Sequence, residues 1–231
     1  MKHDKIHQYL NKVDLFKEIP PEDLDLIIND SYTREYQHDE TLFYQGDSAD
    51  NFFVVIAGRI KLSQLDEEGN QTIFHYLIPK EAFGIIAVLR NIPYPVTAEA
   101  MENCKVIGWD APKIEKWIRR YPQIAINSIR ILAGFILDFQ DRIRELSTER
   151  VERRIARVLL RLASHGGQKT AQGISIGLKL TRQDIAEMAG TTLYTVSRTL
   201  SKWEDLKLVD CKSKIMIILN PHELTNIAEN I

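Results

Sequence analysis

A narrow apolar stripe between residues 129 and 146 constrains this chain more than any other feature. Its members recur in alternating steps of three and four, which puts them on one face of a long helix: Ile129, Leu132, Ile136, Phe139, Ile143 and Leu146. β-Branched residues at the a positions and mainly γ-branched residues at d favour a parallel two-stranded coiled coil. The alternative, a helix packed on its own domain, usually has a wider stripe. The pattern therefore predicts a dimerisation helix that opens at Pro122.

The heptad pattern ends in a charged segment, "LSTER". Arg150 and Arg153 would occupy the next a and d positions, where a paired seam disfavours charge. A second helix, "VERRIARVLLRLASHGG", follows on a different apolar stripe and ends at two glycines. We therefore expect a hinge at 147–151 between the two helices.

The region before the stripe is typical of an all-β barrel. After short helices in the first thirty residues, segments rich in Val, Ile, Phe and Thr begin at about residue 32. Gly46, Gly58, Gly69 and Gly84 punctuate them at roughly even spacing, and "DEEGN" at 66–70 is a hairpin signal. These features predict a β-barrel or jelly roll that ends before a short helix, "APKIEKWIRRYP".

A short predicted strand, "GISIGLKL", leads to the stretch "LTRQDIAEMAGTTLYTVSRTL", which predicts two helices joined by a tight turn. Thr181 is placed to cap the first helix, and Gly190 suits a turn that a β-carbon would hinder. The second helix is expected from about Thr192 to Glu204. The residues expected to pack the two helices together are Ile185, Ala186, Leu193, Val196 and Leu200. This spacing indicates a helix-turn-helix, whose second helix enters the major groove of DNA.

The outer face of the second helix carries many hydroxyl groups and little charge, which is unusual for a surface helix. The candidate DNA contacts on the motif are Arg198, Ser197, Tyr194, Thr192, Thr195, Thr181 and Arg182. Arg198 suits a bidentate contact to guanine O6 and N7, and Tyr194 suits a thymine methyl group or the backbone. The alternative for each residue is an ordinary solvated helix face.

The segment "LKLVDCKSKIMIILN" predicts two strands joined by a Lys-rich turn, the wing of a winged helix. Lys212 and Lys214 would contact phosphates there, the alternative being an ordinary solvated turn. Residues 150–231 contain 13 Lys and Arg against 8 Asp and Glu, whereas residues 1–149 contain 17 against 24. A basic C-terminal third on an acidic body favours a polyanionic partner for that third.

The overall composition is that of an ordinary globular protein, with 231 residues, 44% hydrophobic and 27% charged. No apolar run is long enough to span a bilayer, and the first residues lack the apolar core of a signal peptide. Cys104 and Cys211 stand alone, without C-x-x-C spacing, and a redox switch between them, as in a redox-sensing regulator, is the alternative to two ordinary thiols. These features predict a cytoplasmic protein with two reduced thiols and no membrane partner.

Taken in order, the barrel, the dimer helix and the winged helix-turn-helix resemble the cyclic-AMP receptor protein and fumarate-nitrate regulator (CRP/FNR) family of bacterial transcription factors. The strongest stretches are "FFVVIAGRIKL", "RIARVLLRLA" and the helix-turn-helix itself. The resemblance implies an α+β fold with three parts. These are an effector-sensing, cyclic-nucleotide-binding-like β-barrel (jelly roll) at 1–121, a dimerisation helix and hinge at 122–149, and a winged helix-turn-helix at 150–231. It also implies a homodimer that binds palindromic half-sites in double-stranded DNA and meets RNA polymerase.

The resemblance also indicates an effector other than cyclic AMP. Relatives that bind cyclic AMP hold its ribose with a Glu and its phosphate with an Arg, and this chain has Ile85 and Val96 at those positions. The phosphate would therefore lack its bidentate partner. By the same resemblance, the candidate pocket residues are Gly84, Ile85, Ile86, Val96, Thr97, Phe139, Gln140 and His75.

Other branches of the family suggest further alternatives. No cysteine precedes Cys104, which excludes the N-terminal iron–sulfur cluster of the oxygen-sensing branch. The stretch "NIPYPVTAEA" is similar to the nitric-oxide-responsive branch, whose members use haem, and His75 is the candidate iron ligand. A hydrogen-bonded or solvated histidine is the alternative. That oxygen-sensing branch also has Glu where this chain has Tyr194, so the DNA half-site is expected to differ at that base pair.

Two further classes of function compete with an effector-controlled regulator. A barrel enzyme of the cupin type needs clustered His and Glu ligands, and only His75 and His38 lie in the barrel region. We therefore expect no enzymatic activity and no metal site apart from the haem alternative. A constitutive DNA-binding protein, whose barrel is an effector-free dimer scaffold, stays open at this point.

Overall fold

The computed structural model describes residues 3–211 and 215–229. They form two compact units that divide within one long helix, between Asp138 and Phe139; residues 71–73 group with the second unit. Across the described ranges, no helix combines the length and apolar character needed to cross a membrane.

The first unit begins with helices and continues as a β-sandwich. The helices are α1 (His3–Leu10), a 3-10 turn (Asp14–Phe16), α2 (Pro21–Asn29), α3 (Ile85–Arg90), α4 (Ala111–Arg120) and the first part of α5 (Pro122–Thr148). The strands are β1 (Tyr32–Tyr36), β2 (Thr41–Phe43), β3 (Asn51–Ala57), β4 (Ile60–Leu65), β5 (Gln71–Leu77), β6 (Ala82–Phe83), β7 (Thr97–Ala100) and β8 (Cys104–Asp110). They form two four-stranded sheets, ordered β1-β8-β3-β6 and β2-β7-β4-β5. The predicted β-barrel domain is confirmed.

Alternation along β3 explains how one sheet supports two cores. Phe53 and Val55 face the inter-sheet core, which also contains residues of β2, β4, β6 and β7. Phe52 and Val54 face the opposite side, where α1, α2 and α4 pack around Trp109. Because successive strand residues point to opposite faces, a continuous apolar run such as "FFVV" serves both layers.

The helix α5 starts on the helical core and then leaves its stripe uncovered. The buried Asn127 side chain donates hydrogen bonds to the carbonyl oxygens of Leu15 and Lys17, at 3.1 and 2.7 Å, which anchors the first turns. Further along, five of the six stripe residues are exposed: Ile129, Ile136, Phe139, Ile143 and Leu146. Ile143, for example, leaves 65% of its surface accessible in the single chain. Leu132 is half-buried.

The second unit is a small α+β domain. Beyond α5 it contains α6 (Val151–Gly166), β9 (Gln168–Thr170), β10 (Gly173–Ser175), α7 (Arg182–Ala189), α8 (Leu193–Asp205), β11 (Val209–Asp210), β12 (Ile217–Ile218) and α9 (Pro221–Glu229). The strands pair in the order β11-β12-β10-β9. The predicted strand before Thr181 is shorter than expected, because only Gly173–Ser175 is paired as β10. The helix α9, for which the sequence analysis made no prediction, begins where Asn220 Oδ1 accepts a hydrogen bond from the Glu223 N–H at 3.1 Å.

Candidate nucleic-acid interface and effector pocket

The first helix of the predicted motif, α7, is fixed by the cap that the sequence indicated. The Thr181 hydroxyl oxygen accepts a hydrogen bond from the Asp184 N–H at 3.0 Å. In return the Thr181 N–H and hydroxyl both donate to Asp184 Oδ2, at 2.7 and 2.8 Å. These bonds form a capping box, so the Thr181 hydroxyl already serves the cap. Arg182, also a candidate DNA contact, lies 3.8 Å from a carboxylate oxygen of Glu204.

The turn after α7 has the left-handed backbone that glycine favours. Gly190 has φ +60° and ψ +50°, and a β-carbon added there would lie 2.6 Å from Leu146 Cδ2 of α5. Thr192 then caps α8, with its hydroxyl oxygen 3.3 Å from the Thr195 N–H and 3.0 Å from the Thr195 hydroxyl. The Thr192 and Thr195 hydroxyl groups are therefore engaged at the helix start rather than left entirely for DNA.

The contact between α7 and α8 is formed by four of the five residues predicted for it. Those four are fully buried: Ile185, Ala186, Val196 and Leu200. The assignment of Leu193 to this contact is wrong, because 48% of its surface is exposed. Leu193 is the first residue of α8, directly after the Thr192 cap. Its place directly after the Thr192 cap was the sequence signal for an exposed position.

Two large side chains dominate the outer face of α8. Tyr194 leaves 73% of its surface exposed, and Arg198 is exposed one helical turn further on. The guanidinium carbon of Arg198 lies 6.0 Å from the centre of the Tyr194 ring. Ser197 lies between them in sequence and is half-buried. Together with Leu193 they present apolar, hydroxyl and guanidinium groups, the kinds of group that reach base edges in the major groove.

The wing is described only in part. Strands β11 and β12 pair antiparallel, with Val209 opposite Ile218 and Asp210 opposite Ile217. Lys212 and Lys214, the candidate phosphate contacts, lie outside the described residues.

The linker between α5 and α6 is surrounded by ion pairs. Two buried carboxylates, Glu145 and Glu149, lie one turn apart at the end of α5. Nη1 of Arg161 lies 2.7 and 2.8 Å from the two oxygens of Glu145, and Nε of Arg157 lies 2.9 Å from Glu149 Oε2. The helical break predicted at 147–151 is present, since α5 ends at Thr148 and α6 begins at Val151. The pairs across it were missed, although Glu145, Glu149 and the arginines recur at helical spacing.

Arg154 joins this linker to the turn of the helix-turn-helix. Its guanidinium donates to three backbone carbonyl oxygens, those of Glu149, Ala189 and Gly190, at 3.0, 2.9 and 3.0 Å. Arg142 on α5 adds a bond to the Met188 carbonyl at 3.3 Å. The last turns of α5 and the turn before α8 are therefore connected by directed hydrogen bonds.

In the first unit, the predicted pocket residues divide between two cores. Gly84 has φ +78°, and a β-carbon there would lie 3.1 Å from the Asn51 carbonyl oxygen, so the chain turns tightly into α3. Ile85 then packs into the helical core, whereas Val96 packs against the inter-sheet core. Ile86 is exposed. Phe139 and Gln140 belong to the second unit, where both are exposed.

The inter-sheet core beside this turn is filled by aromatic rings. The ring centres of Phe43 and Tyr94 lie 3.7 Å apart, and Phe53 and Phe83 stack at 5.2 Å. The Tyr94 hydroxyl donates a hydrogen bond to the Asn51 carbonyl, and burial raises the pKa of Tyr94 to about 12. Thr97 accepts a hydrogen bond from the Gln45 N–H at 3.0 Å. These contacts make the region apolar and neutral, which disfavours an anionic ligand.

A buried ion pair lies on the neighbouring strands. Lys61 on β4 and Glu99 on β7 are direct cross-strand partners, with Nζ 3.1 Å from Oε2. Lys61 is buried, so its ammonium group is compensated by the carboxylate rather than by solvent. This lysine therefore does not replace the missing arginine as a phosphate ligand.

His75, the candidate haem ligand, is held by protein groups. Its Nε2 atom lies 3.3 Å from Glu81 Oε2, and its ring meets the Phe135 ring edge-on at 5.8 Å between centres. Glu81 also accepts a hydrogen bond from the Ile78 N–H at 2.8 Å. The Nε2 atom of His75 is engaged by this carboxylate, so these residues do not fit a haem ligand.

The two cysteines are ordinary thiols in different units. Burial raises the pKa of the Cys104 thiol. Burial, and then the nearby Glu204 carboxylate, raise the pKa of the Cys211 thiol to about 11. Because the thiolate is the reactive form, both groups are poor nucleophiles near neutral pH.

Comparison with known proteins agrees with this arrangement. The cyclic nucleotide-binding domain family matches residues 33–121, and the Crp-like helix-turn-helix domain family matches residues 153–227. The structure of FixK2 from Bradyrhizobium japonicum shares the fold, with a TM-score of 0.75 at 23% identity over 85% of this chain and 96% of that one.

Relatives over most of the chain are regulators of transcription. The CRP-like cAMP-activated global transcriptional regulator of Mycobacterium tuberculosis is 20% identical over 217 residues, 94% of this chain and 97% of the relative. The global nitrogen regulator of a Nostoc species is 28% identical over 192 residues, 82% of this chain and 86% of the relative. With a cyclic nucleotide-binding domain followed by a Crp-like helix-turn-helix, the chain belongs to the CRP/FNR family of transcriptional regulators, which are not enzymes.

Proposed function

We propose that this protein is a homodimeric, sequence-specific DNA-binding regulator whose barrel responds to an effector other than cyclic AMP. The observation that carries the proposal is the outer face of α8. There Leu193, Tyr194 and Arg198 are exposed on a helix whose start is capped and whose inner face is buried. A helix fixed in this way presents its first turns to base edges in the major groove.

The uncovered stripe of α5 supports a second copy of the chain as partner. Exposed Ile and Leu side chains at heptad spacing lose contact with water when two such helices pair. A parallel pair would relate two copies of α8 by two-fold symmetry, which suits palindromic half-sites about one DNA turn apart. As in the family generally, we infer a cytoplasmic protein that acts with RNA polymerase.

Control by an effector would act through the end of α5. Arg142, Leu146 and Arg154 join the last turns of this helix and the linker to the turn before α8. An effector that favours one pairing of the α5 helices would thereby favour one placement of the α8 helices, a shift between existing populations. The neutral, apolar surroundings of Val96 and the absence of charge at Ile85 and Val96 favour an uncharged effector over a cyclic nucleotide.

A second candidate function is constitutive DNA binding, with the barrel as a scaffold for the dimer. The tightly stacked rings of Phe43, Phe53, Phe83 and Tyr94 favour it, because a core filled by its own side chains needs no ligand. Mass analysis and an absorption spectrum of the purified protein separate the two. A bound organic molecule supports effector control, a Soret band restores the haem alternative at His75, and DNA binding by a ligand-free protein supports the scaffold.

The DNA-reading role is tested by Arg198→Ala. We select operator sequences with the wild-type protein and titrate them by gel shift against each variant. Loss of a bidentate guanine contact predicts roughly 5- to 150-fold weaker specific binding with dimerisation unchanged. Arg119→Ala, which removes an exposed arginine of α4, is the matched control and should bind as wild type does. Unchanged operator affinity in Arg198→Ala would remove this residue from the reading face.

A further inference from the structure

Tyr194 and Arg198 form a pair on the outer face of α8. They are four residues apart, so they are neighbours on the helix surface. The guanidinium carbon lies 6.0 Å from the ring centre, within the range where the face of an aromatic ring attracts a cation. Burial does not impose this contact, because both side chains are exposed.

Arg198 has few other restraints. The chain has nine arginines from Arg142 to Arg198, both included, and seven of them have a carboxylate or carbonyl partner. Within the described ranges 3–211 and 215–229, the side chains of Arg150 and Arg198 have no such partner. Arg198 differs from Arg150 in having an aromatic ring beside it. The Tyr194 ring is therefore the neighbour, among the residues that the structure describes, that can attract the Arg198 guanidinium.

The neighbouring hydroxyl groups do not compete for this arginine. Thr192 and Thr195 are bonded to each other through their hydroxyl groups at the start of the helix. Ser197 is half-buried beside them. The ring of Tyr194 is thus the group left to hold Arg198, and it does so without consuming any of the five N–H donors of the guanidinium.

We propose that Tyr194 is a positioning residue that orients Arg198 for guanine and so sets the base preference of α8. The proposal deepens the proposed function, because it requires that α8 reads DNA. A long side chain loses rotamer freedom when it docks on a base edge. A ring that already holds the guanidinium plane reduces that loss and leaves its full charge and its donor pair for guanine O6 and N7.

The chemistry of Tyr194 also separates two effects that a carboxylate would combine. A Glu at this position would hold the arginine by an ion pair and would also accept a hydrogen bond from cytosine N4. Tyrosine orients the arginine but has no charged acceptor. We therefore expect a strong guanine preference at one base pair and a relaxed cytosine preference at the pair facing Tyr194.

The test compares Tyr194→Leu with Tyr194→Phe. Both remove the hydroxyl, but only the Leu variant removes the ring. With operators selected by the wild-type protein, we measure the ratio of affinities for guanine and adenine at each position of the half-site. The Leu variant should lose about 2- to 5-fold of the guanine preference, and the Phe variant should retain it. In an Arg198→Ala background, Tyr194→Leu should leave the guanine preference unchanged.

A second measurement needs no DNA. The ring current of Tyr194 should move the side-chain proton resonances of Arg198 upfield in the wild type and in the Phe variant, but not in the Leu variant. Circular dichroism checks that the variants fold, as expected for a substitution at an exposed position.

Three results would overturn the proposal. Equal guanine preference in the Leu and Phe variants would overturn the role of Tyr194 but not the proposed function. Arg198 resonances that do not respond to Tyr194→Leu would do the same. A wild-type protein that enriches no DNA sequence would overturn the proposed function and this proposal with it, while the resonance shifts would still judge the contact itself.

Discussion

Neutralising Glu145 should destabilise the C-terminal unit by far more than an ordinary surface substitution does. Its side chain is 6% exposed, and its two oxygens lie 2.7 and 2.8 Å from Nη1 of Arg161, with Nε of Arg157 at 3.9 Å from Oε1. In Glu145→Gln, a neutral amide replaces the carboxylate between two guanidinium groups, and its NH2 group has no acceptor in the guanidinium that it faces.

The expected cost follows from how far each partner is buried. Breaking a fully buried ion pair costs about 3–5 kcal/mol, whereas an exposed pair contributes about 0–1 kcal/mol. The side chains of Arg157 and Arg161 are 25% and 39% exposed, so both guanidinium groups regain some contact with water. The remaining amide oxygen still accepts one hydrogen bond, which contributes about 1 kcal/mol. We therefore expect the free energy of unfolding to fall by about 2 kcal/mol.

The assay is thermal unfolding of the whole chain, measured by differential scanning calorimetry. For a unit of this size, 2 kcal/mol corresponds to a decrease in Tm of about 10 °C. The matched control is Asp141→Asn, which also removes one negative charge from α5 but breaks an exposed pair with Arg144, whose side chains are 64% and 54% exposed. An exposed pair three residues apart on a helix contributes about 0.2–0.5 kcal/mol, so the control should shift Tm by less than about 3 °C. Equal shifts in the two variants would refute the assignment of Glu145 to a buried network.

Two further predictions concern the α5 stripe and the thiols. Replacing the exposed Ile136 by Lys should give a monomer in sedimentation experiments, because it puts a charge at an a position of the stripe. The control Asp138→Lys lies off the stripe and should leave a dimer. A dimer in both variants would refute the pairing of the two α5 helices. Cys211, whose pKa is raised to about 11 from an ordinary value of 9.0, should react with a thiol reagent at pH 8 about 10-fold more slowly than an exposed cysteine, because the thiolate fraction falls about 100-fold while the thiolate becomes about 10-fold more nucleophilic. Glu204→Gln, which removes the second-largest cause, should speed that reaction, and a rate typical of an exposed cysteine in the wild type would contradict the raised pKa of Cys211.

The sequence predicted the features that depend on local chemistry. Thr181 and Gly190 were identified because a helix cap and a left-handed turn need particular side chains, whatever the surroundings. The apolar run through Phe52 and Phe53, with glycines between such runs, likewise predicted the barrel, although not the division of its apolar residues between two cores.

Features that depend on tertiary geometry were not predictable in this way. Leu193 was assigned to the helix contact by its spacing, but it is the first residue of α8 and 48% of its surface is exposed. Glu145 and Arg161 belong to a series at four-residue spacing, but that spacing does not specify that the two helices fold back on each other across the linker. Ile85 follows a tight turn at Gly84 that directs it to the helical core, away from the cluster that contains Val96.

Because Leu146 contacts Gly190, it belongs both to the apolar stripe of α5 and to the packing of the turn before α8. Leu146 is the last member of the apolar stripe, and its Cδ2 atom occupies the space that a β-carbon on Gly190 would need. If the stripe pairs as proposed, a substitution at 146 alters subunit affinity and the turn before α8 together. A genetic screen for loss of operator binding would then recover changes at this position through two routes. The position is accordingly expected to accept fewer residues through evolution than Ile129, which serves the stripe alone.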